Sequence, residues 1–142
     1  PDCDDALDIA PTSSDPTLAG NDWIVLRYAD VLLMHTEAIL AGATLTADAA
    51  AIQSFQAVRD RAGLTDAVTS VSLQDLLDER RVELAFENHR FFDLVRLGVA
   101  ESVLGSFSTD NGYSFTGTDL LLPIPDAEIG LSKNTMRQNP GY

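Results

Sequence analysis

The stretch from Val71 to Gly98 constrains this chain's fold more than any other. Leu76, Arg80, Glu83, Glu87, Arg90 and Leu94 follow one another at spacings of four, three, four, three and four. That spacing draws one line along a helix. The line begins and ends on leucine, so its charged middle is expected to be partly buried, and buried charge must be paired. Ser72 and Asp75 form a capping-box pair, and Val71 and Leu76 are placed as a hydrophobic staple. A single helix is predicted from here to Leu97, stopped by Gly98, with Leu73, Leu77, Leu84 and Phe91 on one face.

Two further helices are predicted upstream. The first runs from about Val25 to Ala41, with Leu26, Ala29, Leu33, Thr36 and Leu40 at helical spacing. The run Val31-Leu32-Leu33-Met34 wraps apolar character around it, as in a helix packed among others. Gly42 is its stop. The second runs from about Ala47 to Ala62, with Thr46 as N-cap, a stripe of Ala51, Phe55, Val58 and Ala62, and Gly63 at its end. The Ala51-x-x-x-Phe55 spacing echoes a tetratricopeptide helix. The match is partial and weak by itself, and the expected class is mainly α.

Val99 to Tyr142 changes character. Asp110-Asn111-Gly112 signals a turn and Tyr113 and Phe115 alternate with polar residues, so a short hairpin is expected there. Leu120 to Pro123 reads as extended, and the rest as an irregular tail. Residues 1–21 read as an irregular acidic arm. Asp2, Asp4, Asp5 and Asp8 lack the spacing of a calcium loop.

The charge balance excludes some functions. A formal net charge of -13 leaves no basic footprint for nucleic acid. The chain would also be repelled by anionic lipid. Lys133 is the only lysine. That bias fits a salt-rich habitat, where screening relieves self-repulsion, and equally an ordinary acidic surface; a melt in low and molar salt separates the two. Cys3, the only cysteine, allows no internal disulfide or cysteine-based zinc site. With nothing apolar before it, Cys3 does not resemble a lipidation site, and no signal peptide precedes it. The start reads as a cut inside a longer chain.

Glu83 and Glu87 are the tempting catalytic pair. A glycosidase needs two carboxylates across a cleft. These two lie side by side on one helix, where Arg80 and Arg90 would hold both ionised. A structural ion-pair cluster suits them better, with Arg27 or Arg59 supplying further cations to Glu79, Glu83 or Glu87, and with Asp93 close by. Neither His35 nor His89 follows a glutamate at di-iron spacing, and no phosphate loop or nucleophile elbow is present. No cofactor, metal or catalytic residue is expected. Among the aromatics, Trp23 and Tyr113 are the candidates for stacking on a sugar; core or rim packing is the competing reading for each, as for Tyr28 and Tyr142.

Four stretches together resemble the SusD/RagB family. The first is Leu26-Arg27-Tyr28-Ala29-Asp30-Val31-Leu32-Leu33-Met34 with Glu37-Ala38, and the second is Val58-Arg59-Asp60-Arg61-Ala62-Gly63-Leu64. The third is Glu79 to Gly98, reading ERRVELAFENHRFFDLVRLG, and the fourth is Leu122-Pro123-Ile124-Pro125 with the closing Gln138-Asn139-Pro140-Gly141-Tyr142. Gln56 stands where the family usually has asparagine, Asn88 where it has glycine, and Leu97 where tryptophan is common. The resemblance implies a non-enzymatic binding protein with a tetratricopeptide-like helical scaffold, here over residues 22–142, lipid-anchored at the outer membrane of the cell. It implies a lid over a SusC-like TonB-dependent transporter that captures glycan or peptide oligomers. It also implies that this chain is the C-terminal scaffold, with most ligand contacts in sequence upstream. A tetratricopeptide-like protein-interaction module with no glycan role is the alternative.

Overall fold

The computed structural model describes residues 24–133 and 135–142. The acidic arm, Cys3 and Trp23 lie outside the described residues. The fold is mainly helical. In chain order it has α1 (Tyr28–Leu40), β1 (Leu45–Thr46), α2 (Ala49–Arg61), β2 (Val71–Ser72), α3 (Leu73–Glu83), α4 (Arg90–Arg96) and α5 (Ala100–Asn111). A 3-10 turn at Gly117–Leu120 and α6 (Asp126–Leu131) complete it.

α1 and α2 run in opposite directions. His35 meets Ser54 at 2.8 Å and Thr36 donates to the Ala51 carbonyl at 3.2 Å. At the other end Arg27 and Arg61 converge on one carboxylate, that of Glu83. Most of each predicted stripe lies where the two helices meet, with Leu33, Leu40, Phe55 and Val58 buried together with Val71, Leu76 and Leu84, whereas Leu26 precedes α1 and is exposed, as is Ala62 at the end of α2. The short antiparallel ladder pairs Leu45 with Ser72 and Thr46 with Val71, tying the two interhelical connections together.

α3 separates two cores. Leu76 points into the first, while Leu77 joins Leu94 and Ala100 in a second core built from α3, α4 and α5. Leu77 and Leu84, assigned to one face by spacing, therefore bury on different sides. At the start of α3, Ser72 Oγ accepts from the Asp75 amide at 3.0 Å and Asp75 accepts from the Ser72 amide at 2.9 Å. This is the reciprocal cap expected from the sequence. α2 is capped by Asp48, whose carboxylate accepts from the Ala50 amide at 2.8 Å, and not by Thr46. The Thr46 hydroxyl sits one step back, accepting from the Asp48 amide.

The long helix predicted from Ser72 to Leu97 is broken. α3 ends at Glu83 and α4 begins at Arg90. Between them Phe86 (φ +67°) and Asn88 (φ +64°) adopt left-handed backbone, which reverses helical hydrogen bonding. Asparagine enters this region far more readily than most residues, so Asn88 keeps the bend that glycine would make at the same place. Asn88→Gly is expected to change stability by less than about 1 kcal/mol and Asn88→Val to lower it by about 1–2 kcal/mol. Urea titrations of both variants check this, and equal midpoints would contradict it.

The expected hairpin is also absent. α5 runs through Asp110 and Asn111, and Gly112 (φ +74°) is its left-handed C-cap. Asn-Gly serves a helix end as well as a turn. The tail is pinned by side chains. Gln138 accepts from the Ile124 amide at 2.8 Å and donates to the Ile124 carbonyl at 2.7 Å, and Asn139 donates to the Leu122 carbonyl at 2.7 Å. The proline-flanked extended run thus gains backbone partners that no strand provides.

Candidate functional site

The charged residues of the third sequence stretch do not form one ladder. They split into three sets, because the break after Glu83 turns α4 away from the line of α3.

The deepest set alternates in sign. Arg80 donates to Asp30 at 2.7 Å and to Asp93 at 2.8 Å, and all three side chains are almost fully buried. Arg96 then donates to Asp93 at 2.8 Å and to Glu37 at 2.8 Å. Asp30 and Glu37 both lie on α1, so the network closes a loop through α1, α3 and α4. Burial pushes the Asp93 carboxyl up, but hydrogen bonds from Arg80 and Arg96 outweigh it and hold it below the usual carboxylate range. The Arg96 guanidinium is raised above its ordinary value, first by its hydrogen bond to Glu37.

The second set centres on Arg27. Its Nη1 lies 2.6 Å from Glu83, its Nε contacts both Glu87 oxygens at 2.9 Å, and its Nη2 also donates to the Glu83 carbonyl. Arg61 adds bonds of 2.7 and 2.9 Å to Glu83. Burial alone would raise Glu83, but the bonds from Arg27 and Arg61 leave it lowered. The Arg27 guanidinium is raised, first by its bond to Glu87. In the third set Arg59 donates to Glu79 at 3.0 Å. Its Nε is the buried side-chain polar atom with no partner among the described residues.

Arg80 and Arg90 are therefore not the cations that hold Glu83 and Glu87. Arg80 faces the other side of α3, towards Asp30 and Asp93. Arg90 donates to the Leu77 carbonyl at 3.0 Å and forms no ion pair among the described residues. Spacing missed Asp30, Glu37, Arg61 and Arg96. Asp30 and Glu37 were visible in principle, since they flank Leu33 at three and four residues and so share its buried face.

Clamping by Arg27 and Arg61 leaves Glu83 unsuited to general acid catalysis, which needs a carboxyl that keeps its proton near neutral pH. The lowered carboxyls have a second consequence. Asp93, Glu83 and Asp75, the last held down first by its hydrogen bond from Ser72, stabilise the fold fully above the usual carboxylate range. Their contribution is lost as pH falls through the lower folded values. Denaturant midpoints are expected to hold from pH 7 to about pH 5 and then fall steadily below about pH 4. A midpoint unchanged between pH 5 and pH 2 would show that these bonds carry no net stability.

Of the two aromatic candidates, Trp23 is outside the described residues. Tyr113 is exposed and stacks on Phe107, ring centroids 6.5 Å apart and 19° from parallel. An open cleft of about 840 Å³ lies between α1 and α4 and is lined by Met34, Glu37, Arg80, Phe92, Asp93 and Arg96. Its charged groups are already committed to one another, which leaves a ligand few free partners.

The sequence profile of the SusD family matches residues 6–142. SusD-like protein P2 of Formosa agariphila is 34% identical, over 88% of this chain and 28% of that protein. The starch-binding protein SusD of Bacteroides thetaiotaomicron is 32% identical, over 91% of this chain and 23% of its own length. Among solved structures, surface glycan-binding protein A from Bacteroides thetaiotaomicron superposes with a TM-score of 0.69 and 32% identity, over 87% of this chain and 26% of that one. The same protein solved in complex with laminarihexaose superposes with a TM-score of 0.68. The chain spans about a quarter of the length of the relatives it matches.

Proposed function

The chain belongs to the SusD family, and from that premise we propose that it is the scaffold portion of a non-enzymatic glycan-binding protein of the cell surface. The observation that carries this reading is the superposition on surface glycan-binding protein A over 87% of the chain. In this proposal the complete protein is lipid-anchored at the outer membrane and acts as a lid on a SusC-like TonB-dependent transporter. Residues 22–142 form its helical domain, and residues 1–21 are an acidic arm. Arg27, Arg59, Glu79, Arg80, Glu83, Glu87 and Asp93 hold helices together and take no part in chemistry. The saturation of the α1–α4 cleft by internal ion pairs supports a main ligand site elsewhere in the longer protein.

Two measurements test the reading. The genomic locus is expected to place this sequence in a frame about four times as long, with a lipid-attachment cysteine near its start, beside a transporter gene. A locus with neither would favour a tetratricopeptide-like module that binds proteins. Titration of the 142-residue chain with laminarihexaose is expected to give a dissociation constant weaker than about 1 mM, since the main site is missing. Micromolar binding would overturn the assignment of this chain to the scaffold.

A further inference from the structure

Arg81 and Arg90 stand apart from the other arginines of the helical region. Arg27, Arg59, Arg61, Arg80 and Arg96 all form ion pairs. Among the described residues Arg81 and Arg90 form none, although the chain carries 22 acids against 9 cations. They line the same two clefts together, so they are neighbours. Burial and the like charge of Arg81 push Arg90 below the ordinary arginine value. Asp78 and Asp93 favour the charged form of Arg90 from nearby without pairing with it. Asp78 accepts from Gln74 at 3.0 Å, Asp93 is held by Arg80 and Arg96, and Asp110 lines one of the clefts without pairing with either arginine. Two adjacent guanidinium groups that form no ion pair repel each other in the free protein, and a bound carboxylate offsets that repulsion.

The surroundings suit a sugar ring. One shared cleft, about 660 Å³, is bordered by Phe86, Phe91, Phe92 and Asn88. Phe86 is fully exposed on left-handed backbone, and Phe92 is also exposed. A bulky residue held in that conformation with its ring in water gains nothing from packing, and such strain gathers at binding sites. Phenyl faces accept the C–H face of a pyranose, while Asn88 adds donors and an acceptor for hydroxyls. The chain's overall negative charge does not forbid an anionic ligand, because beyond about 8 Å in physiological salt remote charges are screened and the two arginines dominate locally.

We infer that Arg81, Arg90 and the Phe86–Phe92 cleft form an accessory subsite for a carboxylate-bearing sugar, a uronic acid unit of a glycan. The inference rests on the glycan-binding reading and adds the chemical class of one unit. Accessory binding on an open surface is weak, so the test is an amide-shift titration by NMR of the whole 142-residue chain. The probes are trigalacturonate, neutral laminarihexaose and triglutamate. Trigalacturonate is expected to shift amides from Arg81 to Phe92 with millimolar affinity, to do so less at high salt, and to lose at least five-fold affinity in Arg81→Gln. Arg81 is exposed and forms no side-chain hydrogen bond or ion pair among the described residues, so that variant keeps the fold; Phe86→Ala, on an exposed loop, provides a second and independent loss.

Other outcomes overturn the inference. Equal shifts with triglutamate would make the patch a carboxylate site without sugar selectivity. Shifts with laminarihexaose but not trigalacturonate would sink the uronate assignment and leave the glycan-binding reading intact. No shift with any probe, or uronate binding unchanged in both variants, would remove the subsite. None of these touches the genomic test of the family-level function.

Discussion

Replacing Arg80 with alanine is expected to lower stability by about 3–5 kcal/mol, the largest effect of any single charge removal in this chain. The reason is the partner left behind. Arg80, Asp30 and Asp93 are almost fully buried, and Asp93 retains Arg96 while Asp30 has no other cationic partner among the described residues. Without Arg80, the Asp30 carboxyl sits in a low-dielectric site uncompensated. A domain of this size has roughly 5–15 kcal/mol in total, so the variant will be partly unfolded under mild conditions. Urea titration by circular dichroism reads the effect as a lowered midpoint at constant slope. The double variant Arg80→Met with Asp30→Leu separates pairing from packing. It restores an apolar contact across α1 and α3 and is expected to recover at least half the loss. An Arg80→Ala loss below about 1 kcal/mol would show that the bridge carries little net energy.

Leu76→Ala is expected to cost about 2–5 kcal/mol and lower the melting temperature by roughly 10 °C. Leu76 is fully buried, where α3 meets the α1–α2 pair, and it packs in one cluster with Leu33, Phe55 and Val58. Truncation removes transfer free energy and leaves a cavity between three helices that cannot easily close, because the ion pairs around it hold their spacing. Val82→Ala is the control on the same helix. Val82 is 75% exposed, and its truncation is expected to change stability by less than about 0.5 kcal/mol. Similar losses from both would mean that α3 is not packed as described.

Much of the fold was legible in the linear pattern. The α1 and α2 faces, the Ser72–Asp75 cap and the glycine stops at Gly42, Gly63 and Gly98 follow from local periodicity and backbone preference, and those properties belong to neighbouring residues. The family resemblance was legible for the same reason: its motifs are mostly caps, stops and buried faces. Gln138, Asn139 and the Leu122 to Pro125 run show the limit. Their order in the sequence marks the family, but only folding shows that the amide side chains act as backbone partners for the extended run.

The charged line on the third stretch marks where sequence stopped and tertiary structure took over. Spacing determined that charge recurs there and that Glu83 and Glu87 lie near arginines. It did not determine which arginines. Spacing treats the stretch as one uniform helix, and two left-handed residues, Phe86 and Asn88, break it. Past the break, Arg90 turns to the Leu77 carbonyl and Asp93 to Arg80 and Arg96, and the cations for Glu83 and Glu87 come from Arg27 and Arg61, 56 and 22 residues from Glu83 in sequence. Helical pattern records what one element presents along its own axis. Which partner meets a buried charge depends on where other elements are carried by the packing of Leu33, Phe55 and Leu76, and no spacing within α3 encodes that.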